Sequence, residues 1–80
     1  MPTIVSVDDF KVMIMPNDHR PPHVHVFHNN GRVRITIGDS TNRPKILEAI
    51  DMSNREITKA LKIVIEHQKQ LLKAWRQIHG

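Results

Sequence analysis

From His23 to Ile37 polar and apolar side chains alternate almost without a break, and the alternation straddles Asn30 and Gly31. An Asn-Gly pair is the preferred loop of a two-residue hairpin, because both residues tolerate φ > 0. The pair predicts strands over residues 23–28 and 32–37, with residue 29 facing 32, 27 facing 34, 26 facing 35, 25 facing 36 and 24 facing 37. Side chains two apart on a strand share a face. Val24, Val26, Val33, Ile35 and Ile37 then line an apolar face, with His28 at its outer end. His23, His25, Phe27, Arg32, Arg34 and Thr36 share the other. One face is a core and the other a polar surface.

The flanking sequence completes an α+β fold. Residues 4–7 and 10–15 read as two short strands joined by a tight turn at Asp8 and Asp9. Residues 16–22 form a loop, since Pro21 and Pro22 deny backbone donors. The segment 38–51 is ambiguous, a loop with one short strand or turn around 45–50. Ser53 and Glu56 have capping-box spacing and open a long helix. Ile57, Leu61, Val64, Leu71, Trp75 and Ile78 recur at 3–4 spacing, flanked by Ala60, His67 and Ala74. Arg55, Lys59, Lys62, Glu66, Lys69, Lys73 and Arg76 mark the opposite side. The expectation is a small antiparallel sheet of about four strands with one long C-terminal helix packed on one face. Residues 1–80 form a single domain, sheet region 1–50 and helix about 53–78. Such a helix spans about 36 Å, longer than the sheet covers, which leaves the stripe near Leu72, Trp75 and Ile78 for a partner.

Composition narrows the chemistry. The chain of 80 residues has no cysteine, which excludes disulfides, thiolate zinc sites and cysteine nucleophiles. No apolar run approaches the roughly 20 residues that span a bilayer, and the N-terminal residues do not form a signal peptide. A soluble, cytoplasmic protein without membrane contact is expected. The formal charge of +4 falls wholly in residues 41–80, because basic and acidic groups balance before residue 41. That asymmetry favours an acidic partner, nucleic acid or protein, or describes a solvated basic helix face.

His19, His23 and His25 are the strongest local signal for chemistry. Neutral imidazole is a common metal ligand, and His23 and His25 project from one strand face. The three could hold a divalent metal such as zinc, with Asp18 adding a carboxylate oxygen. A second reading is metal-independent cleavage of RNA, with His23 and His25 as base and acid and Arg34 steadying the phosphorane charge. His19, Phe27 and Arg32 would then help to bind the strand, Phe27 by stacking on a base. In the third reading these are ordinary polar groups on a solvated sheet. A binding module is also open, with Lys62, Lys69, Lys73, Arg76 and Trp75 on the helix meeting an acidic partner or a second copy. Trp75 is equally a packing residue, His67 a half-buried core histidine, and Met13 and Met15 core filler. The sequence has no phosphate-binding glycine loop and no serine–histidine elbow.

The run from Asn17 through Asp18, His19, Arg20, Pro21, Pro22, His23, Val24 and His25 to Val26 resembles the signature of domain-of-unknown-function family 4160, short proteins of bacteria and archaea. The resemblance covers nearly the whole chain, including the start at Met1 to Ile4 and a helix with His67 eight positions before Trp75. The chain departs from the pattern at Ile63, at Gln70 and at Ile50 to Ser53, and keeps the histidine motif. The resemblance implies a family without an established activity. Its members are frequently encoded beside another small protein, which implies one half of a toxin–antitoxin-like pair. The partner would be a small protein or a second copy of the chain, with RNA as a further ligand.

Overall fold

Two aspartates close the first hairpin. Strands β1 (Thr3–Val7) and β2 (Phe10–Met13) pair antiparallel with Val7 opposite Phe10, so Asp8 and Asp9 are the whole loop. Both have positive φ, 49° and 66°. A type I′ turn requires this, and aspartate reaches it more readily than most side chains. The computed structural model describes residues 3–79. Met1 and Pro2, placed by the sequence in the sheet region, and Gly80, placed after the helix, lie outside these residues.

Strands β3 (His23–His28) and β4 (Gly31–Thr36) form the central hairpin, but its loop is Asn29-Asn30. Asn29 takes the positive φ, 52°. The pairs are His28 with Gly31, Phe27 with Arg32, Val26 with Val33, His25 with Arg34, Val24 with Ile35 and His23 with Thr36. The loop therefore starts one residue earlier than the Asn-Gly pair predicts. Each β3 residue meets a partner two positions nearer the loop on β4. Because side-chain orientation repeats every two residues, a shift of two leaves both faces intact. The physical cause lies outside the hairpin. A side chain on Gly31 would run into the Asp51 carbonyl and come within 2.7 Å of Met52 Cγ. Gly31 is needed for close approach of the segment that leads into the helices, and the turn falls to the asparagines.

The sheet has five strands in chain order, all antiparallel. The fifth, β5 (Ile46–Ile50), adds an edge to β4 and is mostly exposed, which explains its weak alternation in sequence. A row of small apolar residues, Val5, Val12, Val26, Val33 and Ala49, crosses all five strands. Its four valines are buried with Phe10, Ile14, Val24, Ile35 and Ile37, and Ala49 at the edge is exposed.

Helix α1 (Asn54–Glu66) starts on the predicted capping box, with the Ser53 side chain accepting from the Glu56 amide and Glu56 from the Ser53 amide. The expected single helix is two, because α1 ends at His67 and α2 (Gln68–His79) follows at once. The His67 ring and backbone N–H both donate to the Ile63 carbonyl, and a side chain in the helical ladder is a recognised cause of such breaks. Gln68 donates to the Ile37 and Asp39 carbonyls, tying the junction to the end of β4. Ala60, Ile63 and Val64 from α1 and Leu71 and Trp75 from α2 join the sheet's core. Replacing a wholly buried Leu71 or Ile35 by alanine would cost about 2–5 kcal/mol. Leu61 is half-buried rather than buried. Among the described residues no helix is long and apolar enough to cross a membrane.

Candidate functional site

The polar face carries the row Met13, His25, Arg34 and Glu48. At its end, the loop between β2 and β3 folds back and sets Asp18 against two histidines. The Met15 amide donates to Asp18 Oδ2 (3.0 Å), and Asp18 N–H donates to the Met15 carbonyl. This reciprocal pair fixes where the carboxylate sits. His25 Nε2 lies 3.1 Å from Asp18 Oδ1 and 3.2 Å from Oδ2, and His23 Nε2 lies 3.4 Å from Oδ1. The three ligand atoms all fall within 4.8 Å of one another.

Tautomers follow from the partners. His23 Nδ1 is 2.9 Å from the Pro21 carbonyl, which only accepts, so Nδ1 carries a proton and donates. In the neutral ring Nε2 is then a bare lone pair facing a carboxylate oxygen. Two acceptors at that distance are reconciled by a proton on Nε2 or by a cation between them. Burial pushes the Asp18 carboxyl up, but the His25 ring, the Met15 amide and the charges of His25 and His23 outweigh it and hold the group below the usual carboxylate range. Asp18 is thus an ionised, nearly enclosed acceptor, with its side chain 12% exposed.

The other residues singled out from sequence divide into two groups. Near the cluster, Arg34 faces His25, and its Nε is buried 3.5 Å from Glu48 Oε1 without hydrogen-bond geometry. Phe27 lies over His25 with ring centroids 6.5 Å apart, and Arg32 opposite it is exposed. His19 is exposed on the loop and lines two clefts beside Asp18, but supplies no atom to the three-residue cluster. Away from the cluster, Lys62, Lys69 and Lys73 are exposed along the helices, whereas Arg76, also exposed, shares a cleft with Asp18.

Trp75 departs from the expected exposed stripe. It is 6% exposed, and its ring lies 5.7 Å from His23, so the end of α2 reaches the histidine site rather than leaving that face bare. Only Ile78 of that stripe's large residues stays well exposed, at 38%. His79, four positions after Trp75 and so on the same helix face, stacks on it at 3.9 Å. The sequence reading passed over His79, although its spacing from Trp75 was the available signal.

No curated protein and no solved structure matches the chain. A family model, described as Domain of unknown function (DUF4160), matches residues 10–76 and so includes the Asp18 loop, the histidine strand and most of α2. With that match spanning the site and nearly all of the fold, the chain belongs to the DUF4160 family.

Proposed function

We propose that the chain is a cytoplasmic divalent-metal-binding domain in which Asp18, His23 and His25 hold one cation of zinc type. The observation that carries this is the convergence of both Nε2 atoms on one ionised carboxylate. Tetrahedral zinc with bonds near 2.0–2.1 Å separates its ligand atoms by about 3.4 Å. The two nitrogens stand 3.1 and 3.4 Å from Asp18 Oδ1. The Pro21 carbonyl on His23 Nδ1 supplies the outer hydrogen bond that orients a metal-bound imidazole. Three protein ligands leave a fourth position, the pattern of zinc sites that bind or activate a small molecule.

The same convergence favours metal binding over RNA cleavage by His23, His25 and Arg34. A catalytic acid and base must each reach the substrate, whereas both rings here turn to Asp18 and His23 is 6% exposed. Docking of an acidic partner, as in a toxin–antitoxin-like pair or a homodimer, is a second reading. It is supported by the exposed Lys62, Lys69, Lys73 and Arg76, and it is compatible with a metal site.

Thermal unfolding with and without zinc tests the proposal. Zinc at a hundredfold excess over its Kd should add about 2.7 kcal/mol, a rise of roughly 10 °C or more in Tm for a domain of this size. Asp18→Ala and His25→Ala should remain folded and lose the rise. A wild-type Tm indifferent to zinc, cobalt and nickel would overturn the reading.

A further inference from the structure

A cleft of about 580 Å³ lies between the Asp18 loop and the last turn of α2, lined among others by Asp18, His19, Arg20, Trp75, Arg76 and His79. Two of these observations point to a ligand. Both ring nitrogens of His79 are buried without a hydrogen-bond partner among the described residues, a costly state unless something else satisfies them. Arg20 and Arg76 are exposed and in no ion pair among the described residues. Guanidinium pairs suit planar, bidentate contact with oxyanions.

We infer that this cleft binds a phosphate dianion, held by Arg20, Arg76 and His79, that completes the coordination of the metal at Asp18, His23 and His25. The inference rests on the metal reading above. Charge explains the coupling. A divalent cation, the Asp18 carboxylate and two guanidiniums sum to three positive charges facing the dianion. Without the cation only one remains, and the bare Asp18 carboxylate repels the ligand. Metal and phosphate therefore strengthen each other by the same factor, as linkage demands. The cleft is larger than a bare phosphate needs, which suits a phosphate monoester with its alcohol group in the remaining space. A cation at the end of a helix also offsets the carbonyl dipole. If that were the only role of Arg76 and His79, their loss would lower stability and leave phosphate binding unchanged.

Trp75 is the chain's single tryptophan, so its emission reports on the cleft, with phosphorus NMR line width as an independent readout. The titrants are inorganic phosphate, adenosine 5′-monophosphate and adenosine. Each is added to chelator-treated protein and to protein carrying one zinc per chain without free zinc. Either phosphate compound should bind and adenosine should not, and the comparison separates free from esterified phosphate as the ligand. Zinc should tighten phosphate binding tenfold or more. Arg20→Gln and Arg76→Gln should each weaken it tenfold or more, and His79→Phe, which keeps the stack on Trp75, several-fold. Zinc affinity without phosphate should stay within twofold in all three. If zinc binds and none of the three variants alters phosphate affinity, the cleft is not the site and the inference falls, while the metal reading stands. If zinc does not bind, the metal reading falls. Phosphate binding to the metal-free protein that depends on Arg20 and Arg76 then preserves the cleft, and its absence ends both.

Discussion

A glycine after two asparagines reads as half of a turn, yet Gly31 serves a contact twenty residues away. Its missing side chain lets the Asp51 carbonyl and Met52 lie against β4. Backbone atoms cannot step aside as a flexible side chain can, so Gly31→Ala should cost about 1–3 kcal/mol, the usual range for overpacking. Chemical denaturation of the variant checks this, and a loss under about 0.5 kcal/mol, typical of a free surface position, would contradict it. Asp18 shows the same dependence on distant geometry. In sequence it is one carboxylate near three histidines, with nothing to mark it as the hub. Its place is set by the reciprocal hydrogen bonds with Met15 and by the turn that follows. His19, as prominent in sequence as His23 and His25, faces the clefts instead.

At the scale of elements, what was legible followed from periodicity. The alternation in β3 and β4 separated the buried valines and isoleucines from the polar side chains, because orientation survives any even shift of register, although His23 is buried against Trp75. The register itself was not legible, since Asn29-Asn30 and Asn30-Gly31 are both competent turns and a remote contact decides between them. β5 was legible only as a strand or turn around 45–50, because an exposed edge strand needs no alternation, and Ile46 and Leu47 are 43% and 46% exposed. The helix break at His67 violates no propensity rule, and it is pinned by Gln68 reaching carbonyls beyond β4. The connection between β4 and β5 is organised by one side chain. Asp39 accepts from the Thr41 amide and hydroxyl and from the Asn42 amide. These bonds, the Thr41 amide first, hold its carboxyl down at about 2. A depressed carboxylate stabilises the fold fully above its unfolded value, near 3.9, and loses that effect as pH falls through the folded value. The stability gap between the protein and Asp39→Ala should therefore be constant above about pH 4 and shrink as pH drops toward 2. A gap that widened on acidification would contradict the assignment.

On the scale of the whole molecule, the two layers meet at the histidine site. The sheet presents His23 and His25, the loop between β2 and β3 brings Asp18, and α2 closes the side with Trp75 and His79. A helix longer than the sheet leaves its last turn uncovered in a reading from sequence, which is why Trp75 and Ile78 seemed to need a partner. Trp75 instead lies in the core beside His23. The metal centre proposed at this junction of loop, strand and helix has two imidazoles and one carboxylate as its ligands. X-ray absorption at the zinc edge of protein carrying one zinc per chain tests it most directly. The expected result is nitrogen and oxygen ligands at about 2.0–2.1 Å with the multiple scattering of two imidazoles, reduced to one in His25→Ala. A shell with no imidazole scattering, or one unchanged in His25→Ala, would contradict it.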